Sequence, residues 1–208
     1  MADGWTSIRV DDIEPITVAG ALQWRPLRRT LGVQAFGINA YTAESVGDHL
    51  VEEHTESTLQ HEEVYTVLTG RATFRLGDET LDAPAGTVVF VRDPEVKRHA
   101  WAEEPNTSVL AVGGRAGEPY SPSAWEAYFY AERHRPHGDF GAMADELSVA
   151  LEQYPDHPSV LYNLGCAEAR AGRLDAAREH LARSLELRPE LQEWADKDDD
   201  LVPLRDGG

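Results

Sequence analysis

The chain has 208 residues, with 19 Lys and Arg against 37 Asp and Glu, a formal charge of −18, and 41% hydrophobic residues. That apolar content and length exclude wholesale disorder and suffice for one core or two small ones. Residues 1–122 carry 19 acids and 10 bases and residues 123–208 carry 18 and 9, a net −9 in each part. No basic face is left to attract nucleic acid or anionic lipid, and Arg25, Arg28 and Arg29 are too few to reverse this.

The single cysteine, Cys166, has no intrachain disulfide partner, and its place in a helical segment points to packing rather than to a nucleophile. The opening MADGWTSIRVDD lacks the basic start and apolar core of a signal peptide, and apolar runs such as Val88 to Val91 fall far short of the roughly 18 residues of a membrane span. A soluble, cytoplasmic protein is the expectation. Trp5 and Trp24 receive no role from the sequence.

From Leu31 to about Val112 the chain breaks into short β-branched and aromatic runs, QAFGINAY, VYTVLT, RATFRL, TVVFV and TSVLAV, separated by Gly, Pro, Asp and Asn. Close-spaced strands of this kind predict a sandwich or barrel. In RATFRLGDETL, Ala72, Phe74 and Leu76 alternate with Arg71, Thr73 and Arg75, and Gly77-Asp78 sits where a tight hairpin turns.

Within this region GDHLVEEHTESTLQHEEVYTVLTG, residues 47–70, resembles the first cupin motif: a Gly, His-x-His, a Glu, and a Gly seven residues after that Glu, here Glu63 and Gly70. PAGTVVFVRDPEVKRHAWAEEPNT, residues 84–107, resembles the second, whose ligand is one His. The resemblance covers roughly residues 31–112 and implies a double-stranded β-helix barrel. Carried over residue by residue, it implies metal ligands at His54, at Glu56 in place of the second His, at Glu63 and at His99, with His61 in reserve. Two imidazoles and one or two carboxylates suit Fe(II), Mn(II), Ni(II) or Zn(II).

His54 and Glu56, at i and i+2, would share one face of a strand, as would His61 and Glu63. Alternation would add Tyr65, Val67, Phe90 and Trp101 as an apolar and aromatic barrel mouth, or as plain core. EEHTESTLQHEE also reads as an exposed charged turn, and His99 as a solvent-facing residue. No GxxxxGK[ST], GxSxG or HExxH occurs, so phosphate-loop and nucleophile-elbow chemistry is unsupported.

After Gly113 the Gly/Pro/Ser-rich GGRAGEPYSPS marks a boundary near residue 120, and beyond Trp125 the apolar spacing is helical. Residues 138–155 align without gaps on residues 172–189, a period of 34 residues. Residues 158–191 resemble a tetratricopeptide repeat at Leu161, Leu164, Gly165, Gly172, Ala177, Leu181 and Pro189, with Glu168 in place of the usual aromatic. Residues 124–157 read as a degenerate copy interrupted at Pro136. In the tail, 192–208, a capping helix would use Leu191, Trp194 and Leu201 to cover the end of the stack, with Asp198 to Asp200 as a solvated cap.

The expected architecture is therefore a β + α two-domain chain, a cupin-type β-barrel over 1–120 followed by a short tetratricopeptide-like helical stack over 123–208. The leading function is a small-ligand or metal-binding module coupled to a segment that docks on a protein partner. The alternative is a metal-dependent oxygenase- or isomerase-type enzyme acting on a small oxygenated substrate. A homodimer pairing through strand edges is also expected.

Overall fold

The computed structural model describes residues 6–19 and 21–206, so Trp5 lies outside the described residues. The chain divides into two compact units, Met1–Pro122 and Ser123–Gly208. Among the described residues no helix is long and apolar enough to cross a membrane.

The first unit contains β1 (Ile16–Val18), β2 (Leu22–Arg25), α1 (Leu27–Leu31), β3 (Gly37–Ala43), β4 (His49–His54), β5 (Glu62–Thr69), β6 (Arg71–Leu76), β7 (Glu79–Pro84), β8 (Val88–Val91), β9 (Arg98–Ala102) and β10 (Thr107–Gly114). All pairings are antiparallel. One sheet runs β1-β2-β3-β10-β5-β8 and the other β4-β9-β6-β7. From β3 to β10 the chain thus deals its strands into two interleaved sets, the arrangement of an eight-stranded jelly roll.

The β6–β7 hairpin closes as its alternation suggests: Leu76 pairs with Glu79 across Gly77-Asp78, and Gly77 takes a φ of 60° that glycine accepts without strain. Gly70 is required for a second reason besides its φ of 69°. A Cβ there would come within 2.9 Å of the Thr107 backbone.

Between the sheets lie Leu50, Tyr65, Val67, Phe74, Val89, Val91 and Val109, together with Ala43, Ala72, Ala83, Ala100 and Ala102. So many alanines bring the sheets close, and the Tyr65 and Phe74 rings, 5.7 Å apart, fill what remains. Ile38, Ala40 and Leu110 point the opposite way and are covered by Ile13, Leu27 and Leu31. Trp24, unassigned from sequence, is fully buried on β2.

The second unit is helical: α2 (Ala124–Ala131), a 3-10 segment at 132–137 that accommodates Pro136, α3 (Phe140–Gln153), α4 (Pro158–Arg170), α5 (Leu174–Leu187), and the short α6 (Gln192–Ala195) and α7 (Val202–Asp206). The segments that align at an offset of 34 residues form α3 and α5, each 14 residues long. Pro158 opens α4, where its missing N–H costs nothing. Gly165 lets α4 meet α5, since a Cβ there would stand 3.3 Å from the Ala177 carbonyl oxygen and the Leu181 nitrogen.

The tail departs from the sequence expectation in two ways. Leu191 and Leu201 are buried, whereas Trp194 is 69% exposed and covers nothing. Asp198 to Asp200 is not simply a solvated cap. Asp198 does accept the Asp200 N–H, but it also accepts the Tyr162 hydroxyl at 2.9 Å and sits 3.6 Å from the Cys166 sulfur. Asp200 pairs with both Arg135 and Arg170 at 2.7 Å. Burial and these two aspartates push the Cys166 thiol far up, so it stays protonated.

Leu147 and Leu164 are fully buried in one cluster with Met143 and Ala167. Leu→Ala at either is expected to cost about 2–5 kcal/mol in denaturant unfolding, whereas Arg178→Ala, at an exposed ion pair, should stay within about 0.5 kcal/mol.

Candidate metal centre

His54 ends β4 and lies directly across from Arg98 on β9. Its Nδ1–H donates to the Glu52 carbonyl at 2.7 Å, which leaves Nε2 as the nitrogen that faces the barrel. The chain then leaves the strand. Glu56 is therefore not turned inward by strand alternation. The 55–61 loop does it, held where the Glu56 N–H donates to the Pro94 carbonyl at 2.9 Å and the Gln60 N–H to the Glu56 carbonyl at 2.6 Å.

β5 restores the pleat, and Glu63 shares the inward face of Tyr65 and Val67. Opposite Glu63 stands Gly113, whose absent side chain makes room: a Cβ there would lie 3.1 Å from Glu63 Cγ.

The three side chains converge. His54 Nε2 lies 3.6 Å from Glu56 Oε1 and 3.7 Å from Glu63 Oε2, and one ligand atom from each residue lies within 4.8 Å of the others. His61 joins them through Glu56, with Nδ1 3.4 Å from Oε2. Tyr65 donates its hydroxyl to Glu63 at 2.5 Å. Arg98, fully buried, brings Nη1 to 3.5 Å from the same Glu63 oxygen.

Two carboxylates at such range in a buried place ionise unequally. Burial and then the charge of Glu63 push the Glu56 carboxyl up to about 7. Burial would raise Glu63 too, but pairing with His54, the Tyr65 hydrogen bond and the charge of Arg98 outweigh it and hold Glu63 below the ordinary range. Burial opposes a charge on His54, yet Glu63, the Glu52 carbonyl and Glu56 together raise it. His61 is lowered by burial.

These donors fit a divalent ion. Bonds of about 2.0–2.2 Å from nitrogen and oxygen imply ligand atoms roughly 3–3.5 Å apart; the two His54 separations, 3.6 and 3.7 Å, are close to that, and the whole group lies within 4.8 Å. The Glu56 Oε2 atom is also buried without a hydrogen-bond partner, an acceptor that a cation would satisfy.

Of the residues singled out from sequence, His54, Glu56, Glu63 and His61 come together, and Tyr65 and Val67 point inward beside them. His99 does not join them. On β9 the inward positions belong to Arg98, Ala100 and Ala102, so His99 and Trp101 lie on the other face, where His99 Nε2 meets His49 Nδ1 at 2.6 Å and Trp101 donates to Glu103. Phe90 is likewise outward, 48% exposed beneath the Arg92 guanidinium, because Val89 and Val91 take the inward places.

The cause is the same on both strands: a shift of one residue sends every side chain to the opposite face. Ala100 lies directly across from Phe74 and Val51 and is buried in one cluster with both. Two residues on the interior were missed, Arg98 and Asn39, the latter 5% exposed on the inward face of β3. Strict alternation counted back from Ala100 and Ala102 would have found Arg98.

The first unit is thus a jelly roll with an interior His–Glu–Glu group. No protein-family model and no curated protein matches the sequence. Solved structures similar to it include two described as cupin proteins, which cover 54% and 39% of the chain. A cupin protein from Bacteroides fragilis is 20% identical, with a TM-score of 0.40, covering 54% of this chain and 92% of its own. A predicted oxalate decarboxylase from Thermotoga maritima is 16% identical, with a TM-score of 0.41, over 52% and 96%. The nucleoside dehydratase Pac13 is 18% identical, with a TM-score of 0.40, over 53% and 83%.

The raised Glu56 has a consequence for stability in metal-free protein. A carboxyl raised on folding stabilises fully below its unfolded value of 4.5, and that contribution is lost as pH rises through about 7. Glu56→Gln keeps the neutral form at every pH. Chemical unfolding should therefore show the two proteins nearly alike at pH 5 and the variant more stable at pH 8, by on the order of 2 kcal/mol. Taking the difference cancels His99, whose lowered value acts in the opposite sense.

Proposed function

We propose that the jelly-roll unit is a cupin-type module that binds one divalent cation through His54, Glu56 and Glu63, with His61 as the fourth protein ligand. The observation that carries this is the aim of His54: its Nδ1 is tied to the Glu52 carbonyl, so Nε2 faces two buried carboxylates. A carbonyl bond of this kind at the far nitrogen is how metal-ligating histidines are held. Arg98 offsets one carboxylate, and the other, Glu56, would give up its proton to the ion. Bound there, the ion would polarise an oxygen atom of a small molecule in the barrel.

Elemental analysis and calorimetric titration with Mn(II), Fe(II), Ni(II) and Zn(II) test this. One ion per chain is expected for wild type, with affinity reduced about 100-fold or more in His54→Ala and Glu63→Gln, and unchanged in His99→Ala. Affinity should fall as pH drops below about 7, where the ion must displace the Glu56 proton. Wild type free of metal under all four ions would refute the assignment.

For the second unit we propose a short tetratricopeptide-like stack that docks on a protein partner. The equal lengths and 34-residue offset of α3 and α5 support it, as does the close approach at Gly165. If the units are separate modules, a chain ending at Pro122 should unfold cooperatively and keep its metal affinity within about threefold. An insoluble fragment would mean that the helices complete the barrel.

A further inference from the structure

His54 and His61 are held in different ways. The His54 ring is aimed by its hydrogen bond to the Glu52 carbonyl. Among the described residues the His61 side chain makes no hydrogen bond that would fix its ring: Nδ1 stands 3.4 Å from Glu56 Oε2, and that oxygen has no hydrogen-bond partner. His61 is nonetheless only 8% exposed, and Tyr120 lies against it, the ring centroids 5.8 Å apart and the planes tilted by 32°.

Tyr120 belongs to the first unit and follows β10, in the stretch that leads to α2. Its seat is cut from backbone. Gly37 and Gly113 face one another across β3 and β10, and neither takes the positive φ that calls for glycine. What they supply is room. A Cβ on Gly37 would stand 2.7 Å from the Tyr120 hydroxyl oxygen, as one on Gly113 would crowd Glu63 Cγ. A Cβ on Gly114 would lie 3.8 Å from Tyr120 Cδ2, and the Arg28 guanidinium stands 5.9 Å from the ring centroid. The facing glycines thus admit two side chains at one end of this strand pair, a carboxylate of the cation site and the ring that rests on His61.

We propose that Tyr120 is a positioning residue of the cation site: seated against these glycines, it holds the His61 imidazole where Nδ1 reaches the ion. This rests on the cation site proposed above. A ligating histidine with no hydrogen bond at its far nitrogen keeps its orientation through what packs on its ring. Without Tyr120 the ion itself has to order the imidazole on binding, which costs affinity. The effect of Tyr120 on the ion runs through His61.

The test is calorimetric titration of the full chain with Mn(II) in wild type, Tyr120→Ala, Tyr120→Phe, His61→Ala and the variant carrying both His61→Ala and Tyr120→Ala. Tyr120→Ala should bind Mn(II) about tenfold more weakly than wild type, and Tyr120→Phe, which keeps the ring, within about threefold of it. Added to His61→Ala, Tyr120→Ala should change the affinity by less than about twofold, because the residue it acts through is already gone. If Tyr120→Ala does not unfold cooperatively, Tyr120→Leu replaces it, with a loss of at least about threefold expected.

Equal Mn(II) affinity in wild type and Tyr120→Ala, equal losses in Tyr120→Phe and Tyr120→Ala, or a loss that persists undiminished in the His61→Ala background would each overturn the proposal and leave the cation site standing. Wild type that takes up no Mn(II) refutes the cation site, and the role of Tyr120 with it.

Discussion

Burying two carboxylates within reach of one another is the constraint around which the jelly-roll unit is arranged. Glu56 and Glu63 both converge on His54 Nε2, in surroundings that disfavour charge on either. The structure resolves the conflict by treating them differently. Tyr65, His54 and Arg98 all attend to Glu63, which stays ionised, while Glu56 holds a proton up to about pH 7. An ion that displaced that proton would satisfy both carboxylates at once, which is why the asymmetry and the proposed cation belong to one physical argument.

The fold supplies this arrangement through long-range pairing. His54 comes from β4 in the four-stranded sheet and Glu63 from β5 in the six-stranded one. Arg98 arrives more than thirty residues later, paired with His54 across β9. Gly113 leaves room for Glu63, and the alanines of β6, β7 and β9 let the sheets approach. These side chains thus stand on strand ends and on a loop pinned to Pro94.

The helical unit shows the same economy with polar groups. Asp198 and Asp200 would be ordinary tail aspartates but for Tyr162, Cys166, Arg135 and Arg170, which draw them into contacts that tie the tail to α4 and to the 3-10 segment. Buried small residues, Ala167, Ala169 and Ala177 among them, set the helix spacing.

Much of this was legible in the amino-acid order. The alternation in β6, the turn at Gly77-Asp78, the change from strand to helix period after Gly113 and the 34-residue offset are local signals, and local signals survive in sequence. So did His54, Glu56, His61 and Glu63, because they crowd into ten residues. What only the tertiary structure decided was which face each later strand turns to the interior. On β8 and β9 the residues of most chemical interest, Phe90, His99 and Trp101, point outward, while Arg98 and small or branched neighbours point in. Period two makes either register self-consistent along a single strand. The choice between them is made by packing against strands distant in sequence, here Phe74 and Val51 against Ala100.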